Sequence, residues 1–347
     1  MFEKLVAPKT EAEITKHWKY TDKVYTSVIC TTYNQDSYIR DAIDSFLAQV
    51  TEYKFEIIIH DDVSTDKTRE ILKEYQQKYP SIIKLILQET NQFSININMP
   101  FKHSLAIAEG EYIALCEGDD FWIDENKLQN QTEVLESEDY HAVNICVHDA
   151  YVLGEDDTLL VDVFIKYSNA TSIISHDLVF KDKGQFAATA SYFIRKKALI
   201  NLPDFFYSAP IGDLFIEAII GVNGLAYYPS KMSAYRTDAI ASWSENVFNK
   251  ADKRIKYNHQ LIASLKELKR FLGDRNGGLV KYKMQYIYIN NASSYAMKGE
   301  RTKAIKYFCL SFYPRLFPTR MFYLFLEVTG LYKHLKRIKN KFYKNDR

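Results

Sequence analysis

Four short apolar runs in the first third of the chain constrain its fold most, because each breaks into polar residues and is followed by another element. Ser27-Val-Ile-Cys-Thr31, Phe55-Glu-Ile-Ile-Ile59, Ile82 to Leu87 and Tyr112 to Cys116 have the length and composition of strands. After the first run, Tyr38, Ile39, Ala42, Ile43, Phe46, Leu47 and Val50 recur at helical spacing, which predicts an amphipathic helix over about 37–49. After the second, Ile71, Leu72 and Tyr75 predict a helix that ends before Pro80. A third helix is expected over 101–109, closed by Gly110. Strand and helix alternating at this spacing imply βαβ units and an α/β fold built on a parallel sheet.

Ligands of such sheets bind beyond the carboxyl ends of the strands. Three polar clusters fall there: Thr31-Thr-Tyr-Asn34, His60-Asp-Asp62 and Glu117-Gly-Asp-Asp120. Their coincidence says more than any one of them. The third is the most unusual, with three acids in four positions followed by Phe121 and Trp122. Carboxylates crowded at a strand end repel one another unless they share a cation. Mg2+ or Mn2+ suits such a site, held by one or two carboxylates with phosphate oxygens completing its shell. Asp61 or Asp62 could accept hydrogen bonds from a base or ribose, and Tyr33 could pack against a base. The competing reading of residues 61–66 is a helix N-terminus, with Thr65 and Asp66 as caps.

Further along, a helix is expected over 126–137 and a strand over 142–147. Residues Thr189 to Arg195 read as a strand, Asp213 to Ile220 as a helix, and Ala226 to Tyr235 as a strand region. Beyond about residue 245 the chain reads as helical, with breaks at Gly273 and Gly277-Gly278. The net charge of +1 gives no overall field for nucleic acid. Cys30, Cys116, Cys146 and Cys309 are widely spaced, without Cys/His pairing for zinc, and read as reduced residues of a cytoplasmic protein. The segment MFEKLVAPKTEAEITKHW is polar and of mixed charge, unlike a signal peptide, and no apolar run reaches the length of a spanning helix.

The three clusters together resemble the inverting family-two glycosyltransferases of the GT-A fold, over roughly residues 25–245. The family pattern is a strand ending in a polar triplet, an Asp-Asp-x-Ser-x-Asp loop and an acidic DXD-type motif. Cys-Glu-Gly-Asp-Asp-Phe-Trp is similar to a bacterial branch in which Glu-Gly-Asp-Asp plus an aromatic pair replaces the usual run. The resemblance implies a mixed sheet of the nucleotide-diphospho-sugar transferase type, flanked by helices, with a helical C-terminal region. It divides the chain into a lead-in at 1–24, a catalytic domain at 25–245 and a helical region at 246–347. The implied activity is metal-dependent, inverting hexosyl transfer from a nucleotide sugar to a glycan or lipid-linked acceptor in cell-surface polysaccharide synthesis. A UDP-sugar is the expected donor.

By the same resemblance Thr32, Tyr33 and Asn34 border the nucleotide, and Asp61 or Asp62 holds the uracil or ribose. Asn91 belongs to the nucleotide loop, where relatives carry Gly at the position of Phe93. Asp119 ligates the metal and Glu117 takes the place of the first DXD acid, while Asp120, Phe121 and Trp122 serve donor-sugar contacts or simply anchor the turn. A general base must remove the acceptor hydroxyl proton. The family places it at a helix start, which here is Asp213 in Pro210-Ile-Gly-Asp213, with Glu217 the second choice; a helix cap is the plainer reading of Asp213. Met232-Ser-Ala-Tyr-Arg-Thr-Asp238 is similar to the family's closing strand. Asp238 stands where a His is usual, which leaves Arg236 as the phosphate partner unless it is spent in a salt bridge. Trp243 could stack on a sugar, lid the site or be a plain core residue. His148, at a strand end, could line the acceptor pocket, although a hydrogen-bonded structural role is the more usual one there, and residues 184–192 match where relatives build the acceptor side but equally suit a packed strand.

From residue 301 onward twelve Lys and Arg stand against Glu327 and Asp346, interleaved with Phe, Tyr and Leu. Such a tail suits an anionic membrane interface, which would place the protein peripherally at the inner face of the cell membrane. A helical bundle with a solvated basic end is the alternative. Two other functions compete. A sugar nucleotidyltransferase would carry a Gly-rich loop after the first strand, where this chain has Thr-Thr-Tyr-Asn-Gln-Asp. A non-catalytic membrane-associated scaffold would have no need of Asp61, Asp62, Asp119 and Asp213.

Overall fold

The computed structural model describes residues 3–165, 167–181, 185–237 and 251–311. Trp243, Asp238 and the tail beyond residue 311 lie outside the described residues. The chain forms two compact units, residues 1–242 and 243–347.

The first unit is an α/β structure around one mixed sheet. Its strands are β1 (Thr26–Thr32), β2 (Phe55–Asp61), β3 (Ile83–Leu87), β4 (Tyr112–Leu115), β5 (Phe121–Trp122), β6 (Ile145–Leu153), β7 (Leu159–Val161), β8 (Ser172–Ile174), β9 (Phe193–Arg195) and β10 (Leu225–Arg236). Their order is β3-β2-β1-β4-β9-β6-β10-β5, with β7 on β6 and β8 on β10. The β3-β2-β1-β4 half is parallel, as the alternation predicts. β9 joins β4 and β6 antiparallel, so the sheet is mixed. β2 is buried at every position, which is why Phe55 to Ile59 shows no polar alternation. The helix Ile39–Leu47 buries Ile39, Ala42, Ile43, Phe46 and Leu47 in the same core cluster as Val28, Cys30, Ile57 and Trp122.

Three expectations change. The strand predicted from Thr189 opens instead with a 3-10 turn, Thr189–Ser191, and only Phe193–Arg195 pairs. The strand expected over 142–147 runs from Ile145 to Leu153, because β10 pairs with it in parallel along nearly its whole length. Gly277 and Gly278 lie inside the helix Ala251–Met297, and the break is at Gly273 alone, with φ +64.

In the second unit Asn258 donates to Asn291 at 2.8 Å, so the two halves of that helix lie against each other, doubling back at Gly273. Ile255, Ile289, Ala292 and Tyr295 pack there with Ala304 of the helix Arg301–Leu310. Among the described residues no helix is long and apolar enough to cross a membrane.

Candidate active site

The carboxyl ends of β1, β2 and β4 come together. Thr32 is opposite Asp61 in the parallel register. The loop after β4 continues beside β1, with Cys116 N–H donating to Ile29 O at 3.2 Å and Gly118 N–H to Thr31 O at 3.0 Å. Gly118 is required by this approach. A Cβ there would lie 2.5 Å from Gln35 Oε1 and 2.9 Å from Thr32 Oγ1.

Glu117, Asp119 and Asp120 therefore crowd one corner. Glu117 is open to the cleft, yet loss of surrounding water and the charges of Asp119 and Asp213 push its carboxyl up to about 8. Dehydration also raises Asp119, against a backbone hydrogen bond, Arg236 and Gln35. Asp120 is buried and raised well above the usual range by dehydration and by its two acidic neighbours. One Asp120 oxygen accepts from Arg236 N–H at 2.9 Å, and the other has no hydrogen-bond partner. Among the described residues no three His, Cys, Asp or Glu side chains converge on one metal position. The corner thus offers hard oxygen donors whose ionised forms are disfavoured until a cation joins them. This fits Mg2+ or Mn2+, provided water or phosphate oxygens supply most of the shell.

The geometry separates the two aspartates at the end of β2. Asp61 is fully buried, pairs with Arg69 at 2.5 Å and accepts from Ser64 N–H at 3.2 Å, while its Oδ1 has no partner. Arg69 is itself held by Gln88 O. Both oxygens of Asp62 are used, by Gln92 N–H at 2.7 Å and Phe93 N–H at 2.9 Å, so Asp62 secures the short helix Gln92–Ile95. Asn91 caps the same helix through Ser94 N–H at 2.7 Å and donates to Asp62 O at 3.2 Å. Asn34, at φ +52, accepts from Thr65 N–H at 2.7 Å, and its own N–H donates to Ser64 Oγ at 2.9 Å. Thr32 is buried and bonds Gln35 at 2.8 Å. Tyr33 is 43% exposed. Val63, a β-branched residue at φ +69, marks backbone strain in the loop after Asp62. Thr32, Asn34, Asp62 and Asn91 are thus taken up in protein hydrogen bonds, whereas the buried Asp61 Oδ1 has no partner and Tyr33 is exposed.

Asp213 is the first residue of the helix Asp213–Ile220 and accepts from Leu214 N–H at 2.6 Å. It is half-buried, and its charge reaches Glu117, Glu217 and Tyr192. Glu217, one turn on, is fully buried. It accepts from Phe186 N–H at 2.9 Å, Ala187 N–H at 2.8 Å and Tyr192 Oη at 2.6 Å. Burial pushes its carboxyl up to about 7. Glu217 ties down the 185–192 segment and is not placed as a base, which corrects the second choice.

Burial bears on three readings that the sequence leaves open. Trp122 is in the core, not beside a donor sugar. Its Nε1–H donates to Ala190 O at 3.0 Å, it meets Phe46 at 4.7 Å between ring centroids, and Lys127 Nζ lies 4.1 Å from its ring centroid. Arg236 is spent on protein groups: Asp157 at 2.6 Å, Asp41 at 2.6 Å and Asp119 O at 2.8 Å. His148 is fully buried, with Nδ1 2.7 Å from Asp149 O, and dehydration holds its ring well below the usual range; it lines no acceptor surface. Reading along the chain overlooks Gln35, Arg69, Asp41 and Asp157. Arg69 had a signal, eight residues after Asp61 on the following helix. Asp41 and Asp157 had none, since their partner is Arg236, 195 and 79 residues away.

Residues 27–202, half of the chain, match the family model described as glycosyl transferase family 2. The chain belongs to this family. An uncharacterized protein of Mycobacterium tuberculosis is 45% identical over 130 residues, 38% of this chain and 36% of the relative. The putative teichuronic acid biosynthesis glycosyltransferase TuaG of Bacillus subtilis is 36% identical over 113 residues, 33% of this chain and 42% of TuaG. The match therefore spans little more than a third of these curated relatives' length. Among solved structures, S. aureus TarS 1-349 in complex with UDP-GlcNAc superposes with a TM-score of 0.59. It covers 82% of this chain and 79% of that one at 16% identity. At that identity the likeness is one of fold, and the fold is GT-A.

Proposed function

We propose that this family-two protein is a metal-dependent inverting glycosyltransferase, moving a sugar from a UDP-sugar to a hydroxyl of a glycan or lipid-linked acceptor. The observation that carries the reading is the meeting of Asp213, at a helix start, with the Glu117 and Asp119 corner, close enough for their charges to interact. An inverting transfer needs this pair of features on one cleft: a carboxylate to take a proton and a corner to stabilise the departing diphosphate. Asp213 removes the acceptor hydroxyl proton as that oxygen bonds the anomeric carbon. The bond from that carbon to the diphosphate oxygen breaks, and the nucleoside diphosphate leaves with the electron pair. Asp119, supported by Glu117, would hold a divalent cation, which when bound neutralises charge on the leaving diphosphate. Asp61 Oδ1 and Tyr33 serve the base or ribose.

The UDP donor is supported by the fold shared with TarS, and a role in cell-surface polysaccharide synthesis by the kinship with TuaG. Catalysis is assigned to residues 25–245. Contact of the basic, aromatic tail with the inner face of the membrane rests on its composition. The test is a donor panel of UDP-, GDP- and TDP-sugars with Mn2+ or Mg2+, read as nucleoside diphosphate release. Metal-dependent release from a UDP-sugar is expected. Absence of both release and UDP binding under every metal condition would overturn the reading.

A further inference from the structure

Arg236 lies outside the stretch that matches the family, yet it touches the acidic corner from two directions. Its Nη1 donates to Asp119 O at 2.8 Å and its backbone N–H to Asp120 Oδ1 at 2.9 Å. The guanidinium is 4% exposed and is itself fixed on three sides. Asp157 takes a two-pronged pair, Nε at 2.6 Å and Nη2 at 3.0 Å. Asp41 accepts from Nη2 at 2.6 Å. The Phe121 ring lies 4.5 Å from the guanidinium carbon and the Tyr38 ring 5.1 Å. Lys4 closes the network, 2.8 Å from Asp41 and 2.6 Å from Asp157.

The cluster draws on four separate parts of the chain. Lys4 comes from the lead-in, Asp41 from the helix Ile39–Leu47, Asp157 from the loop before β7, and Arg236 from the end of β10. The lead-in is secured by more than Lys4: Tyr79 Oη donates to Pro8 O and Ser81 N–H to Glu11. Asp156 and Asp157 both adopt left-handed backbone, φ +54 and +57. Two consecutive non-glycine residues in that region are strained. In this loop conformation the Asp157 carboxylate meets Arg236. A planar guanidinium gripped by two carboxylates is a rigid support, and a lysine could not reproduce its fork.

We propose that Arg236, gripped by Asp157 and Asp41 and closed off by Lys4, is a positioning residue that sets Asp119 and Asp120 for binding the metal–diphosphate group. This rests on the proposed function of the same corner. Its distinct content is that the geometry of the corner is imposed by residues of the lead-in, the 155–157 loop and β10.

The test is Arg236→Lys, which keeps the charge and removes the fork. Folding is checked by circular dichroism. Mn2+ binding in the presence of UDP is measured by the paramagnetic resonance of free Mn2+, and UDP binding by calorimetry. A folded Arg236→Lys protein is expected to bind Mn2+ in the presence of UDP at least tenfold more weakly than the wild type. Asp157→Asn, which loosens one side of the grip, is expected to weaken it about fivefold, and it carries the test if the lysine variant does not fold. Folded variants whose Mn2+ affinity stays within twofold of the wild type would overturn the positioning role. A wild-type protein without Mn2+-dependent UDP binding would instead overturn the proposed function, so the two failures are distinguishable.

Discussion

Replacing Trp122 separates a core residue from a donor contact, because the two roles predict different losses. The indole is fully buried, packs on Phe46, lies over Lys127 and makes one hydrogen bond, to Ala190 O. Truncation to Ala would cost about 3 to 5 kcal/mol for lost burial and the residual cavity. It would also strand a buried carbonyl, worth roughly 1 kcal/mol or more. That total approaches the whole stability of an ordinary domain, about 5 to 15 kcal/mol, so Trp122→Ala is expected to lose most of its folded population. Trp122→Phe is the informative change. It keeps a ring against Phe46, loses the bond to Ala190 and leaves a smaller void, so a loss of about 2 to 3 kcal/mol is expected. Urea denaturation followed by circular dichroism measures it, and calorimetry with UDP and Mn2+ on the folded variant should give binding within about threefold of the wild type. A stability loss below about 1 kcal/mol together with a tenfold loss of UDP binding would refute the core assignment and return Trp122 to the donor site.

Four further outcomes are expected. Asp213→Asn should lower the transfer rate by about 10²- to 10⁴-fold, the usual worth of a general base, with UDP binding unchanged; a full rate would remove Asp213 from that role. Glu217 is held at about 7 when folded, against 4.5 for an exposed glutamate, so its proton favours the folded state. Its contribution is complete below pH 4.5 and is lost as the pH rises through 7, which amounts to about 3 kcal/mol. Unfolding free energies of the wild type and Glu217→Gln from urea denaturation should therefore diverge by that much between pH 4 and 8, and parallel pH profiles would contradict it. Gly118→Ala would drive a Cβ to 2.5 Å from Gln35 Oε1, so UDP binding should fall at least tenfold at a stability cost of about 1 to 3 kcal/mol. Chelation with EDTA should abolish donor turnover and Mn2+ should restore it, while turnover that persists in EDTA would exclude a cation at the Glu117 and Asp119 corner.

How much of the protein could be read in advance depends on the range of the interactions involved. The β3-β2-β1-β4 half was legible because each of its strands is a continuous apolar run and each helix shows its own periodicity. The acidic corner was legible because three acids after a buried strand conflict with burial unless something compensates them. The turn at Thr189–Ser191 was not. Its small apolar residues suit a strand equally well, and the turn is selected by packing, with Ala190 O taking the Trp122 indole.

Within the site, the chain by itself brought Asp61, Asp62, Glu117, Asp119 and Asp213 forward as candidates, because residue type and place at an element's end are local properties. Only the tertiary structure divided the work among them. Asp61 and Asp62 are neighbours in sequence, but Asp62 faces the N–H groups of Gln92 and Phe93, while one oxygen of Asp61 has no partner. Asp213 and Glu217 share a helix, but one turn of rotation puts Glu217 among the N–H groups of Phe186 and Ala187 and leaves Asp213 half-buried beside Glu117. Arg236 finds Asp41 and Asp157 far away along the chain. Hydrogen-bond partners are chosen by distance in space, and a linear sequence carries no measure of that distance.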